Sequence, residues 1–202
     1  VNRGILSRKK FMLSKTQARD RLRALPRLSP EARAEKSSAL CSALVRDAVW
    51  LQARNVALFA PLSVEPDVEA LFGFAQGKRL CFPRVRPEGL AFFAVPSADL
   101  LVIPPGARWR VREPLEGACA RVEELDLILV PGVAFTQEGL RLGRGAGYYD
   151  RFLATASAHR IGVCFESQLV PDLPVEPHDM RMHRVLTEAG FCDGASSAVR
   201  RG

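Results

Sequence analysis

Beyond Asn55 the chain is built from short apolar runs at 56–60, 80–83, 90–94, 125–131, 161–165 and 185–188, and several are apolar at nearly every position. A strand with one face in water alternates apolar and polar residues, whereas a continuous apolar run needs cover on both faces. Stretches with helical character fall between the runs, at 67–74 and 148–156. This alternation predicts an α/β fold in three layers, with a mainly parallel or mixed central sheet. The N-terminal part reads as helical. Ala18, Leu22 and Leu25 recur at near-helical spacing from Lys15 until Pro26 breaks the pattern. Ser29-Pro30 then supplies an N-cap and first-turn proline for a second helix reaching about residue 46.

At 202 residues, one domain is expected over 15–191, preceded by a disordered or non-native extension at 1–14 and followed by a loose tail at 192–202. No apolar run approaches the ~18–20 residues that a membrane helix requires. Residues 1–14 lack the apolar stretch of a secretory signal, so a cytoplasmic protein is expected; the oligomeric state is open, with a monomer favoured. Charge is unevenly placed: of the net +7, residues 1–36 hold eleven Lys/Arg against three Asp/Glu, while the remainder is close to balanced. A basic start can serve phosphates or polyanions, or be a solvated helix face. Without interleaved aromatics or a nucleic-acid motif, it does not favour DNA or RNA. The five cysteines are dispersed and form no C-x-x-C pair, and the three histidines form no zinc pattern, so reduced thiols and no structural zinc are expected.

The chemistry concentrates after the run at 125–131. A loop follows, and Gly143, Gly145 and Gly147 alternate immediately ahead of a helix. Alternating glycines let backbone N–H groups close on an anion, and a helix start adds partial positive charge. Arg141 and Arg144 add guanidinium donors suited to phosphate oxygens. Asp150 offers a hard oxygen of the kind Mg²⁺ prefers, although an ordinary surface carboxylate would read the same. No Ser/His/Asp or Cys/His pairing suggests a protein nucleophile.

The run RLGRGAGYYDRFL from Arg141 to Leu153, after VPGVAF at 130–135, resembles the signature of the 5-formyltetrahydrofolate cyclo-ligase family, also called 5,10-methenyltetrahydrofolate synthetases. Further stretches fall in the family's order: Lys15 and Arg19, APLSVE at 60–65, FPRV at 82–85, Glu113-Pro114, FESQ at 165–168, and PVEPHD at 174–179 with Thr187-Glu188. The resemblance implies ATP-dependent cyclisation of 5-formyltetrahydrofolate, polyglutamylated or not, to 5,10-methenyltetrahydrofolate, with Mg²⁺ as cofactor. It implies that Lys15, Arg19 and the loop Arg141, Leu142, Gly143, Arg144, Gly145, Ala146, Gly147, Tyr148 and Tyr149 hold ATP. Ala60, Glu65, Trp109, Arg144 and Tyr148 would face the folate, and Arg144, Lys15 and Tyr148 would carry catalysis.

For the metal it implies Asp150 together with position 183. There, however, His183 stands where the family typically has Asp, and imidazole is a poor Mg²⁺ ligand. Ala146 also departs from the family's usual Gly or Lys, which is harmless only at a negative φ. These departures leave one rival expectation, a diverged paralogue that binds folate or nucleotide without turnover; the basic N-terminus leaves another, a polyanion- or RNA-binding module on the same fold.

Overall fold

The computed structural model describes residues 14–24, 26–106, 110–115 and 117–192. Three helices open the chain: α1 (Lys15–Arg23), α2 (Pro30–Leu44) and α3 (Ala48–Gln52). Each start is set by a side-chain oxygen. Ser14 Oγ accepts from Gln17 N at 3.2 Å while Gln17 returns a bond to Ser14 N at 2.9 Å; Ser29 caps α2 ahead of Pro30, and Asp47 caps α3.

The strands follow: β1 (Asn55–Ala57), β2 (Arg79–Arg86), β3 (Gly89–Ala94), β4 (Leu101–Val102), β5 (Glu113–Pro114), β6 (Cys119–Ala120), β7 (Leu127–Pro131), β8 (Ala134–Phe135) and β9 (Arg141–Leu142). Next come α4 (Tyr148–Leu153), β10 (His159–Val163), β11 (Arg184–Thr187) and β12 (Gly190–Cys192). Eight of the strands form one sheet in the order β12-β11-β10-β7-β1-β2-β3-β6. From β11 to β2 it is parallel; β12 and β3 run antiparallel to it at its flanks, and β6 pairs antiparallel with β3. The expected α/β class with a mainly parallel or mixed sheet is therefore present.

The central strands are apolar throughout because each has two buried faces. Val56, Leu127 and Leu129 join Leu40, Leu44 and Trp50 in the core beneath the N-terminal helices. Their neighbours Ala57, Ile128 and Val130 point the other way, into a second core with Leu153 of α4.

Several element shapes differ from the sequence reading. The 67–74 helix is a 3₁₀ segment, Glu69–Phe74, and α4 ends at Leu153 rather than 156. The α1 pattern stops at Arg23, and its Leu25 lies outside the described residues. β1 leaves the ladder after Ala57, three residues before the apolar run ends. That early exit matters, because β2 departs to one side of β1 and β7 lies on the other. The chain thus creates a topological switch point between β1 and β7, and the crevice beyond their carboxyl ends is where open α/β sheets take ligands.

Candidate functional site

That crevice is a cleft of about 1030 Å³. Its floor comes from the ends of the two switch-point strands, Phe59 and Ala60 after β1 and Pro131 at the end of β7. One wall is apolar, with Pro83, Val85, Leu90 and Val111; the other is the glycine loop together with α1. The β8–β9 hairpin returns the chain to Pro131, where Arg141 Nη1 donates to the Pro131 carbonyl at 3.1 Å. The loop 143–147 is thereby anchored over the sheet edge.

The loop holds its shape through two left-handed residues, Gly145 at φ +106° and Gly147 at φ +68°. Among the described residues only glycines have positive φ, so Ala146 carries its methyl without strain. The helix behind the loop has only six residues, so its dipole adds less than the sequence suggested. Backbone amides and cations carry the anion-binding character.

Each cation in the cleft has a partner. Lys15 Nζ donates to Asp179 Oδ1 at 2.6 Å and Glu176 Oε2 at 2.9 Å. Burial opposes its charge, but the hydrogen bonds it donates to Asp179 and Glu176 prevail and its pKa is raised. Arg19 Nε donates to Gly143 O at 2.8 Å, which lays its guanidinium over Gly145. Arg144 clasps Glu65 Oε1 through Nη2 at 2.6 Å and Nε at 3.2 Å. Glu65 is buried, and its Oε2 accepts from Leu62 N at 2.9 Å. Arg33 of α2 then fixes that turn by donating to Glu65 O at 2.8 Å.

Arg141 was expected to reach phosphate, yet its guanidinium is committed to Pro131 O and to Asp150 Oδ1 at 2.8 Å, and the side chain is 4% exposed. It orients Asp150 at the cleft wall. Tyr149 is held beside Arg141, with 5.6 Å from guanidinium carbon to ring centre, and burial pushes its phenol far above the usual range. Tyr148 carries Arg151 over its ring and lines the cleft.

Lys15, Arg19, Ala60, Glu65, residues 141–149 and Asp150 all line this one cleft. Trp109 lies outside the described residues. His183 is not brought to the site. It precedes β11 at the opposite, amino edge of the sheet, where its Nδ1 accepts from Arg160 N at 2.9 Å and its ring stacks on His159 with centroids 4.7 Å apart. Burial, then Arg160 and His159, lowers its pKa. The expected pairing of Asp150 with His183 around a metal therefore has no counterpart in the geometry. Sequence reading also missed the pairing roles of Asp179, Glu176 and Arg33, whose contacts span 164, 161 and 32 residues. Of the three, only 174–179 carried a signal, as part of a stretch in the family's order.

Fold and site define an α/β enzyme with a cation-lined cleft at the carboxyl edge of its sheet. The sequence profile of the 5-formyltetrahydrofolate cyclo-ligase family matches residues 12–188. A 5-formyltetrahydrofolate cyclo-ligase of Mycolicibacterium smegmatis is 35% identical over 187 residues, covering 86% of this chain and 93% of that one. The mouse 5-formyltetrahydrofolate cyclo-ligase is 29% identical over 188 residues, covering 86% and 91%. Among solved structures, the 5,10-methenyltetrahydrofolate synthetase of Aquifex aeolicus superposes with a TM-score of 0.79 at 30% identity, covering 93% of this chain and 96% of that one. The chain belongs to the 5-formyltetrahydrofolate cyclo-ligase family.

Proposed function

We propose that this chain closes 5-formyltetrahydrofolate to 5,10-methenyltetrahydrofolate at the expense of ATP, releasing ADP and phosphate. The observation that carries the reading is one cleft in which Lys15 and Arg19 meet the glycine loop beside the Glu65–Arg144 pair. In the reaction the formyl oxygen takes the γ-phosphoryl group and ADP leaves. N10 then attacks the activated carbon, loses its proton to solvent, and phosphate departs with the former formyl oxygen. Such chemistry asks the protein for alignment and charge stabilisation rather than for a nucleophile.

Arg144 is the pivotal residue. Its guanidinium is fixed by the buried Glu65 while remaining about one-third exposed to the cleft, so it meets developing phosphoryl charge without reorganising. Lys15, Arg19 and the amides of the 143–147 loop hold the nucleotide phosphates, and Tyr148 orients the bound substrates from the loop's end. Ala60 and Glu65 face the folate, with the apolar wall of Pro83, Val85 and Leu90 against its ring. Asp150 fits a Mg²⁺ ligand: it is a hard carboxylate lining the cleft, with Oδ1 oriented by Arg141. When bound with the nucleotide, the metal would neutralise charge on phosphate oxygens. His183 has no part in holding it.

A cytoplasmic setting belongs to the same reading, supported by five cysteines that form no disulfide. No described helix is long and apolar enough to cross a membrane. The test is the growth of methenyl absorbance with purified protein, 5-formyltetrahydrofolate, Mg²⁺ and ATP. Growth that needs ATP is expected; a flat trace with all components present contradicts the proposal.

A further inference from the structure

We propose that Asp179, seconded by Glu176, is a positioning residue that aims Lys15 into the cleft and through it sets the affinity for ATP. The inference rests on the proposed reaction and concerns how its nucleotide site is assembled.

Lys15 is an awkward residue to rely on. It ends a flexible four-carbon stem, and it sits at the first position of α1, where the helix dipole disfavours a cation. Its side chain is nevertheless only 14% exposed. α1 itself is attached by a small apolar contact, Ala18 and Leu22 against Ala134, Leu142 and Leu173. Two carboxylates overcome these disadvantages. An ammonium has three N–H donors. Asp179 and Glu176 accept two of them, leaving one to face the cleft.

The carboxylates come from a rigid turn. Glu176 N donates to Asp179 Oδ2 at 2.7 Å, Asp179 N donates to Glu176 O at 3.0 Å, and Pro177 lies between them. Asp179 therefore divides its oxygens: Oδ2 closes the turn and Oδ1 holds the lysine. It is the stronger partner, 14% exposed, whereas Glu176 is 51% exposed and shares its Oε2 with His178. Hydrogen bonds from Lys15 hold the Asp179 carboxyl below its usual pKa, although burial pulls the other way. Lys15 is thus ordered before a nucleotide arrives, and the entropy of fixing it is not charged against binding. The carboxylate's own repulsion of phosphate works in the opposite sense, so the sign of a substitution decides which effect wins.

Asp179→Asn is the test, because the amide oxygen can still accept from Glu176 N while an NH₂ group replaces the acceptor facing Lys15. ATP Kd by titration calorimetry and KM for ATP should both rise about tenfold, the scale of one lost charge-assisted hydrogen bond. kcat at saturating ATP and KM for the folate should stay within about twofold. Glu176→Gln should raise the ATP values about threefold. In a Lys15→Met background, Asp179→Asn should add less than about twofold. Unchanged or tighter ATP binding in Asp179→Asn overturns the proposal. So does a full tenfold effect without Lys15, or an equal loss for both substrates. If the parent binds ATP but forms no product, the cyclisation reading fails while the binding arm still decides the role of Asp179.

Discussion

The two edges of the sheet carry similar charges and behave differently. At the carboxyl edge, Lys15, Arg19, Arg141 and Arg144 are matched with Asp179, Gly143 O, Asp150 and Glu65 around an open cleft. At the amino edge, Arg184 pairs with Asp47 at 2.8 Å, Asp126 accepts from the amides of Arg54 and Asn55, and His159 and His183 stack beside Arg160. The second set closes upon itself and fastens short connections. The first is held apart by longer loops that leave the strands at the switch point, so its cations are positioned without being enclosed. Strand direction, more than the number of charges, distinguishes a site from a clasp.

Substitutions at the two edges should therefore separate activity from stability. The largest effect is expected from Arg144→Ala: turnover should fall about a hundredfold or more, the scale of losing one preorganised donor to developing charge. Gly147→Ala should act next. At φ +68° a side chain costs about 1–2 kcal/mol, and the added Cβ would stand 2.8 Å from Arg151 Nη1. The loop should loosen and KM for ATP should rise several-fold, measured against Gly73→Ala, which meets nothing within 4 Å and should leave it unchanged.

His183→Asp should change turnover less than about threefold, since an acid at the amino edge cannot reach the cleft. A gain of about tenfold or more would place position 183 in the reaction and break the comparison. The smallest effect concerns acid. His159 and His183 are both held below the usual 6.5, first by burial and then by neighbouring cations. The unfolded chain therefore binds protons that the fold resists, so their contribution is complete above about pH 6.5 and declines as pH falls below it. Tm should drop between pH 7 and 5.5, and His183→Asn should lessen that drop while leaving the ATP dependence alone.

Much of the scaffold was legible in sequence. Val56, Leu127 and Val185 belong to strands whose neighbours are also apolar, and two-sided burial leaves that mark regardless of topology. Short pieces escaped notice. β4, β5, β6, β8 and β9 have two residues each, too few for any period to register, and α3 has five. The glycine loop was legible because positive φ demands glycine, as Gly145 and Gly147 bear out. The order of the remaining motifs resembled the family, and the cleft takes residues from several of them, such as Lys15, Glu65, Pro83, Glu113 and Asp179, but none from 165–168 or 187–188. What sequence could not convey was pairing. Arg141 looks like a phosphate donor until Asp150 and the Pro131 carbonyl are seen to hold it. His183 sits only four residues after Asp179, yet the intervening chain delivers one to the amino edge and the other to the cleft.

The account places the phosphate chemistry at the carboxyl edge. The most direct measurement is a crystal structure with a non-hydrolysable ATP analogue and Mg²⁺. The account predicts the triphosphate against the 143–147 loop, beneath Lys15 and Arg19 and within reach of Arg144. A triphosphate bound instead against Arg160, Arg184 and His183 would contradict it.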